Sequence, residues 1–150
     1  MAETAAQQAA VPIRVVDGTA DALPGPDAGM DAAVASLVLC SVPDQARALA
    51  ELRRVLRPGG ELRFFEHIQA DTSGLARSQR LADVIWPIFV GGCHTSRDTL
   101  IAITTAGFQL ISIRRFRFPD SRLPSPAAPH VLGIARRPPE SRPEGRHRID

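Results

Sequence analysis

The sequence contains no lysine, and all 18 of its basic residues are arginine. Against 16 acidic residues they leave a formal net charge of only +2. A balance so close to neutral gives no strong attraction to nucleic acid or to an anionic membrane, so we expect no nucleic-acid partner. The absence of lysine indicates the coding bias of a GC-rich genome rather than a binding site.

Long hydrophobic runs are also absent. No apolar run reaches the roughly 18–20 residues that a membrane-spanning helix requires. The best candidate, "LADVIWPIFVGG" at residues 81–92, is short and is interrupted by Pro87. The amphipathic stretch at residues 80–89 is therefore expected to cover the core. Binding of this stretch to a membrane surface is the alternative.

Cysteine is scarce. Cys40 and Cys93 are the only two cysteines, and neither has a neighbour at the spacing of metal ligands. We expect no signal peptide before them. We expect two reduced thiols in a cytoplasmic protein, and no metal.

The composition is that of an ordinary globular protein. A chain of 150 residues is one domain by length, with 44% apolar and 23% charged residues and no internal repeats. We expect residues 1–12 to be disordered or a helix remnant and residues 138–150 to be a disordered basic tail. A single domain would then occupy residues 13–137.

The centre of the chain alternates strand, helix and strand. Residues 31–42 form a nearly continuous apolar run, which is typical of a strand buried on both faces. Residues 43–56 have apolar side chains at helical spacing. Ser41 is the expected cap of this helix, with Pro43 in its first turn. The order predicts a crossover unit of an α/β sheet.

The predicted helix ends abruptly. Pro58 stops it, because the residue before a proline is pushed out of helical geometry. Gly59 and Gly60 then turn the chain, and residues 61–67 leave as a strand.

Further elements extend the pattern on both sides. A short strand at residues 13–16 leads into a loop. We expect a helix at residues 74–89 with a proline-induced end or kink. A second helix at residues 95–107 would be capped by Thr95 or Ser96 and stopped by Gly107. Two late strands follow, at residues 108–118 and 130–137.

These residues carry a resemblance. Residues 31–67 resemble the central segment of class I S-adenosylmethionine-dependent methyltransferases, with a methyltransferase type 11 domain. In that family a strand ends beside the cofactor and the next helix closes on an "LRPGG" joint, which stands here at residues 56–60. Residues 15–27 resemble the loop that lies against the adenine. Residues 86–108 are similar to the branch of methyltransferase-like thiol methyltransferases.

The resemblance implies an α/β Rossmann-like sheet and S-adenosylmethionine as methyl donor. The implied reaction is methylation of a small, apolar acceptor, with a thiol favoured. Methylation of a lipid amine or of a quinone ring is the alternative. Because methyl transfer is an in-line displacement at an activated carbon, the main contribution of the protein would be orientation in a dry cleft.

The beginning of the family pattern is missing. The family's sheet starts with a strand, a GxGxG turn that approaches the cofactor, and a second strand ending in an acid that binds the ribose. No GxGxG occurs in this sequence, and only twelve residues precede the strand at 13–16. We therefore expect a truncated domain whose sheet lacks its first two strands and its glycine-rich loop. A non-catalytic fragment or a partner-binding pseudo-enzyme is the competing hypothesis.

The missing strands would occupy the middle of the family's sheet. Their loss would expose sheet edges and apolar faces, which predicts self-association. If the chain folds alone, the strand at 13–16 is expected to pair again, directly with residues 33–39.

The resemblance implies cofactor contacts at two places. Gly18, Thr19 and Ala20 align with the loop on the adenine side. Ser36 and Leu37 fall at the strand end that touches the methionine part. The alternatives are an ordinary Asp-Gly loop and simple strand packing.

Two candidate catalytic residues end the strand at 61–67. Glu66 or His67 would polarise or deprotonate the acceptor. The alternative for both is a capping or surface role.

The segment in which the family builds its acceptor pocket contains Trp86, Cys93, His94 and Arg97. We expect these residues to line the pocket rather than to catalyse, because adjacent Cys and His side chains rarely face each other. They also lack the further ligands that a metal site requires. Arg97 would hold an anionic acceptor or neutralise Asp98.

Overall fold

The computed structural model of the protein describes residues 2–118 and 125–140. Helices and strands alternate along much of the chain. In chain order the elements are α1 (Ala2–Gln7), β1 (Met30–Ser36), α2 (Gln45–Val55), β2 (Leu56–His67), α3 (Ser73–Ala82), α4 (Trp86–Phe89), α5 (Thr99–Thr105), β3 (Gln109–Arg117) and β4 (Pro129–Arg136).

The four strands form one sheet in the order β1-β2-β4-β3. β1 and β2 run parallel and are joined by α2, which confirms the predicted crossover unit. β4 is antiparallel to both of its neighbours. The α/β class is therefore confirmed, and the two late strands lie where the sequence placed them.

The joint at residues 56–60 needs both of its glycines. Gly59 has a φ of +83°, a conformation that side chains disfavour. A Cβ on Gly60 would lie 2.9 Å from the carbonyl oxygen of Arg57 and 3.0 Å from that of Asp31. Gly59 donates its N–H to the carbonyl of Arg137 (2.8 Å), and Arg137 donates to Gly60 (2.9 Å). Residues 56–60 already belong to β2, so the predicted turn before a strand at residues 61–67 is wrong. This first part of β2 lies directly against β1 and the chain just beyond β4.

The hydrophobic core centres on β2, where α2, α5 and β4 pack against it. Phe64 is 1% exposed and lies opposite Gly133 of β4. A Cβ at Gly133 would come within 2.4 Å of the Phe64 ring. The core cluster further includes Leu49, Leu56, Leu62, Ile103 and Val131.

β1 differs from its prediction. Of its seven residues only Ala35 is buried, and Val34 is 75% exposed. β1 is an edge strand of the described sheet. Burial on both faces requires neighbours that the described residues do not supply, so the prediction of a fully buried strand is wrong.

The predicted strand at residues 13–16 is also wrong. The chain runs there without regular structure, and Ile13 and Val16 are 54% and 48% exposed. We expect this segment to pair with residues 33–39 if the chain folds alone. In the structure it forms no such pairing, and β1 pairs with β2 instead. β-Branched composition without a strand to pair with does not suffice to make a strand.

Two helix starts were assigned to the wrong residues. α2 is capped by Asp44, which accepts a hydrogen bond from the N–H of Arg47, rather than by Ser41. α5 is capped by Asp98, which accepts from Ile101, rather than by Thr95 or Ser96. In both cases a carboxylate closer to the helix displaces the predicted hydroxyl.

The helix ends follow the sequence more closely. Gly107, with a φ of +85°, follows α5 as predicted. The predicted helix at 74–89 divides into α3 and α4, with Pro87 in the first turn of α4. Of the predicted disordered tail, residues 141–150 lie outside the described residues.

The apolar stretch around α4 does not cover the core. Leu81, Val84, Ile88 and Phe89 are 73–79% exposed. The prediction that residues 80–89 cover the core is therefore wrong. None of the described helices is long and apolar enough to cross a membrane.

Candidate functional site

The candidate site lies at the carboxyl edge of the two parallel strands. β1 and β2 end there together, since Ser36 pairs with Phe65. The loop that leaves β1 and the loop between α4 and α5 approach each other at this edge, where His94 donates its backbone N–H to the carbonyl of Cys40 (2.8 Å). In open α/β sheets ligands bind in this position.

Glu66 organises the loop after β1. Its side chain is fully buried, and one carboxylate oxygen accepts the N–H groups of Val38 and Leu39, both at 3.0 Å. The other oxygen accepts the N–H of Cys40 at 3.1 Å. Both oxygens are thus occupied by backbone donors. The structure gives Glu66 a positioning role, and its catalytic role stays a prediction.

Leu37 bends the chain as it leaves β1. It has a φ of +54°, which is uncommon for a residue with a side chain and often marks a functional site. Its N–H donates to the carbonyl of Phe65 at 2.8 Å. Ser36 and Leu37 are both exposed, so both are accessible from solvent.

The predicted adenine-side loop lines a cavity. Gly18, Thr19 and Ala20 form one wall, and Val38 and Leu39 form part of another. The cavity volume is about 360 Å³. The loop and the strand exit, which are separate in sequence, are therefore adjacent in the fold, although Ser36 and Leu37 are not among the residues that line this cavity.

An ion pair on α2 holds the loop in place. Arg54 binds Glu51 at 2.8 Å and Asp27 at 2.7 Å, and it donates to the carbonyl of Leu23 at 2.9 Å. Glu51 in turn accepts the N–H of Leu23 at 2.9 Å. The hydrogen bond from Arg54, together with that from Leu23, lowers the pKa of Glu51 to about 2.

Three side chains with metal-ligating atoms converge beside this loop. The Sγ atoms of Cys40 and Cys93 lie 3.6 Å apart. The Nδ1 atom of His67 lies 3.2 Å from Cys93 Sγ and 3.6 Å from Cys40 Sγ. Neither cysteine is in a disulfide. The spacing in the sequence indicated no metal ligands beside either cysteine, whereas the fold brings the two cysteines and His67 together from distant parts of the chain.

The two thiols are electrostatically unequal. The hydrogen bond between them raises the pKa of Cys40, and burial raises it further. The same hydrogen bond lowers the pKa of Cys93 against the opposing effect of burial. Cys93 is therefore the more readily ionised thiol of the pair.

His130 completes the surroundings of His67. The two rings have their centroids 4.3 Å apart. His130 is buried, and this burial lowers the pKa of its imidazole. Its Nδ1 lies 2.9 Å from the carbonyl oxygen of Ala128, so this nitrogen is already engaged.

Glycines explain how Cys93 reaches Cys40. Gly91 and Gly92 have φ values of +57° and +82°. A Cβ on Gly92 would lie 2.9 Å from the carbonyl oxygen of Ser41, so only glycine allows this approach. The Gly-Gly pair before a cysteine was the signal in the sequence that could have suggested a close contact.

The remaining predicted pocket residues have other partners. Arg97 donates to the carbonyls of Leu39 (3.1 Å) and Val42 (2.6 Å). His94 lies 3.8 Å from the carboxylate of Asp83. Arg97 thus binds two carbonyl groups of the loop after β1, one of them in Leu39, whose N–H group binds Glu66, and its role toward an acceptor stays a prediction.

Asp83 anchors the loop before α5. Its carboxylate accepts hydrogen bonds from the N–H and hydroxyl groups of Thr95 and Ser96, at 2.6–3.0 Å. Burial alone would raise the pKa of Asp83, but these hydrogen bonds together lower it. Thr95 and Ser96, the predicted helix caps, therefore donate hydrogen bonds to Asp83 and do not cap α5.

Trp86 begins α4 and is half-buried. Within residues 2–118 and 125–140, its indole Nε1 is buried without a hydrogen-bond acceptor. No hydrogen bond therefore joins the Trp86 side chain to the cysteine–histidine cluster.

Comparison with known proteins identifies relatives in sequence. Residues 1–64 match the family model described as a methyltransferase domain. Human thiol S-methyltransferase TMT1A is 36% identical over 110 residues, which are 73% of this chain and 44% of the relative. Human TMT1B is 38% identical with the same coverage. The chain thus spans less than half the length of these relatives.

A shorter match joins the chain to a different methyltransferase. The ubiquinone/menaquinone biosynthesis C-methyltransferase UbiE of Methylobacterium nodulans is 43% identical over 75 residues. These residues are 50% of this chain and 30% of the relative.

Solved structures confirm the fold. An S-adenosylmethionine-dependent methyltransferase of Methanosarcina mazei superposes with a TM-score of 0.67 at 24% identity, covering 93% of this chain and 76% of its own. A possible histamine N-methyltransferase of Thermotoga maritima superposes with a TM-score of 0.65 at 25% identity, covering 91% and 69%. The four-stranded sheet matches the Rossmann-like sheet of these proteins.

Proposed function

Since the chain is related in sequence and fold to the class I S-adenosylmethionine-dependent methyltransferases, we propose that it binds that cofactor and takes part in methyl transfer to a small thiol. The cofactor would lie at the carboxyl edge of β1 and β2. Its adenosine part would enter the cavity lined by Gly18, Thr19 and Ala20.

One observation carries the proposal. The cavity beside the predicted adenine loop and the candidate acceptor residues share a single wall, the loop after β1. Val38 and Leu39 line the cavity, while the next residue, Cys40, contacts His67 and Cys93. Glu66 holds all three backbone N–H groups of residues 38–40. A cofactor that extends from this cavity past the exit of β1 would therefore bring its methyl group close to an acceptor held beside Cys40.

The longer sequence match favours a thiol acceptor. The relatives named thiol S-methyltransferases match over 110 residues, whereas the C-methyltransferase of Methylobacterium nodulans matches over 75. Methylation of a quinone ring is therefore the less supported acceptor chemistry.

The proposed reaction has simple requirements. The acceptor sulfur attacks the methyl carbon, a carbon–sulfur bond forms, and the sulfonium carbon–sulfur bond breaks to leave S-adenosylhomocysteine. The thiol loses its proton in the process. Orientation of the two sulfur atoms is the main contribution of the protein. His67, at the end of β2 and half-buried, is our candidate for receiving the proton.

A second candidate function is a non-catalytic binding module. It is favoured by the absence of a GxGxG turn from the printed sequence. In nucleotide-binding sheets this turn lets the backbone approach the phosphate or its equivalent.

Titration calorimetry with S-adenosylhomocysteine separates the two candidates, after circular dichroism has shown that the chain is folded. We expect saturable binding in the micromolar range. Thr19→Trp should fill the cavity and weaken binding at least tenfold, and Leu37→Trp should weaken it by distorting the strand exit. Thr105→Trp, on an exposed position of α5, is the matched control and should bind like the wild type.

A folded chain that gives no heat of binding would reject methyltransferase function for this chain and favour the binding module. Equal binding by Thr19→Trp and Thr105→Trp would place the cofactor elsewhere. If binding is confirmed, an assay of S-methylation with small alkyl thiols tests the acceptor.

A further inference from the structure

We propose that Cys40, His67 and Cys93 bind one zinc ion through two sulfur atoms and one imidazole nitrogen, with the fourth coordination position open. The three ligand atoms lie within 4.8 Å of one another. They come from three different parts of the chain: the loop after β1, the last residue of β2 and the loop between α4 and α5.

The distances between the ligand atoms fit a zinc ion. With zinc–sulfur bonds of about 2.3 Å and a zinc–nitrogen bond of about 2.0 Å, tetrahedral geometry places the sulfur atoms about 3.8 Å apart and each sulfur about 3.5 Å from the nitrogen. The corresponding distances here are 3.6 Å between the sulfur atoms, and 3.2 and 3.6 Å from nitrogen to sulfur. Each differs from the tetrahedral value by no more than about 0.3 Å.

The backbone holds each ligand before any ion is present. The N–H of Cys40 is bound by Glu66 at 3.1 Å, and its carbonyl is bound by the N–H of His94 at 2.8 Å. Cys93 follows the glycine turn that lies against Ser41. His67 pairs with His130 in the sheet. A preorganised site of this kind loses little conformational freedom when it binds.

The ligand chemistry selects the ion. Two thiolates and an imidazole are soft and borderline ligands, which exclude magnesium and calcium as preferred occupants. Zinc is bound by this set in sites that keep a position for water or substrate. As zinc binds, the two thiols release their protons to solvent.

The three ligands have no fourth partner among the histidine, cysteine and carboxylate side chains that the structure describes. No other His, Cys, Asp or Glu side chain within residues 2–118 and 125–140 joins the three. The nearby His130 directs its Nδ1 toward the carbonyl of Ala128. The fourth position is therefore available to water or, resting on the proposed function, to the thiol acceptor, whose sulfur is itself a good zinc ligand. A thiol bound there would release its proton to solvent as it binds, so the zinc-bound imidazole of His67 would not be the proton acceptor.

Metal binding by the reduced, metal-free wild-type chain is the primary test. We expect one equivalent of zinc by elemental analysis after dialysis, and a higher melting temperature when zinc is present, because zinc binds only the folded site. The shift in melting temperature is measured on the wild-type chain with and without zinc, so it does not depend on whether a variant folds. A wild-type chain that is folded but retains less than a tenth of an equivalent would overturn the proposal.

Variants assign the ligands. Cys93→Ala and His67→Gln should each lower zinc affinity at least tenfold, whereas His94→Gln is the matched control and should retain wild-type affinity. Circular dichroism establishes that each variant is folded. If Cys93→Ala binds zinc as tightly as the wild type, the ion is held elsewhere and the proposal is wrong.

Cobalt substitution tests the geometry and the open position. Replacement of zinc by Co²⁺ should produce thiolate-to-cobalt charge-transfer absorption, and Cys93→Ala should lose about half of it because one of two thiolates is removed. A small alkyl thiol should shift the visible bands of the cobalt protein. An unchanged spectrum would show that no exogenous thiol enters the fourth position.

The outcomes distinguish this inference from the proposed function. A chain that binds S-adenosylhomocysteine but not zinc rejects the metal site alone. A chain that binds zinc but not S-adenosylhomocysteine retains the metal site and rejects the methyltransferase proposal.

Discussion

β1 and β2 lie side by side in the sheet, yet they are built differently. β2 has a partner on each side, and Leu62, Phe64 and Glu66, which point to one face, are all buried. β1 has a partner on one side only, and Val34 is 75% exposed although its apolar neighbours predicted a buried strand. The more apolar strand is thus the exposed one, because burial depends on what pairs with a strand and covers it.

The β1 side is held by polar contacts instead of by packing. Glu66 binds the loop that leaves β1, and Arg54 with Glu51 binds the loop that precedes it. Both candidate sites are made from these loops. Function at this edge therefore depends on a few specific hydrogen bonds, whereas the stability of the β2 side depends on hydrophobic burial.

Truncation of a core side chain on β2 should have the largest effect on stability. Phe64→Ala would leave a cavity opposite Gly133 and should lower the free energy of unfolding by about 3–5 kcal/mol. Val34→Ala on β1 is the control and should change it by less than about 0.5 kcal/mol, as for an exposed site. Urea denaturation measures both. Equal losses would show that β1 is covered in solution, contrary to the comparison.

Glu66→Gln should have the next largest effect, because it weakens the link between the two strands. The variant replaces one of the two accepting oxygens by an amide group that faces a backbone N–H. We expect a loss of about 2–3 kcal/mol, as for buried hydrogen bonds to a charged group.

Glu61→Gln, also on β2, is the matched control for Glu66. Its partners Arg63 and Arg136 are exposed to solvent, which screens these ion pairs, so Glu61→Gln should cost much less stability than Glu66→Gln. If the two variants lose the same stability, the burial of Glu66 has no energetic consequence and the proposed link is wrong.

The glycine joint offers a smaller test. Gly60→Ala would place a Cβ within 3.0 Å of two backbone oxygens and should destabilise the protein by about 1–2 kcal/mol. Gly74→Ala, in open space on α3, should instead stabilise it by about 0.4–1 kcal/mol. Thermal denaturation of the two variants should therefore shift in opposite directions, and shifts of the same sign would contradict the assigned contact.

The smallest expected effect is the dependence of protein stability on pH that results from Glu51. Its pKa is lowered from 4.5 to about 2 by Arg54, so the carboxylate contributes stability above about pH 4.5. This contribution is lost as the pH falls toward 2. The difference in urea midpoint between wild type and Glu51→Gln should be constant near neutral pH and should vanish near pH 2. A difference that persists at pH 2 would contradict the assigned ion pair.

Much of the fold could be predicted because its signals are local. The helix α2, the proline and glycines of the joint, and the strands β2, β3 and β4 each follow from periodicity or from a residue with a restricted backbone. The helix caps were predicted less well. Asp44 and Asp98 displaced nearby hydroxyl groups, since several acceptors within one turn compete for the same N–H donors.

The candidate site was predicted only in part. The resemblance assigned Gly18, Thr19 and Ala20 to the adenine-side loop; in the structure they line a cavity together with Val38 and Leu39, and their contact with a cofactor stays a prediction. Cys40 was not predicted as a site residue. Its neighbours Cys93 and His67 are 53 and 27 residues away in sequence, and no local pattern reports such distances.

The sequence by itself determined the order and type of most elements and the crossover joint, because periodicity, proline and glycine act on the backbone nearby. Only the tertiary structure decided which apolar residues are buried, what the carboxylate of Glu66 binds, and that two isolated cysteines meet a histidine. These features depend on long-range pairing of strands and loops, which fixes neighbours in space that the chain separates by tens of residues.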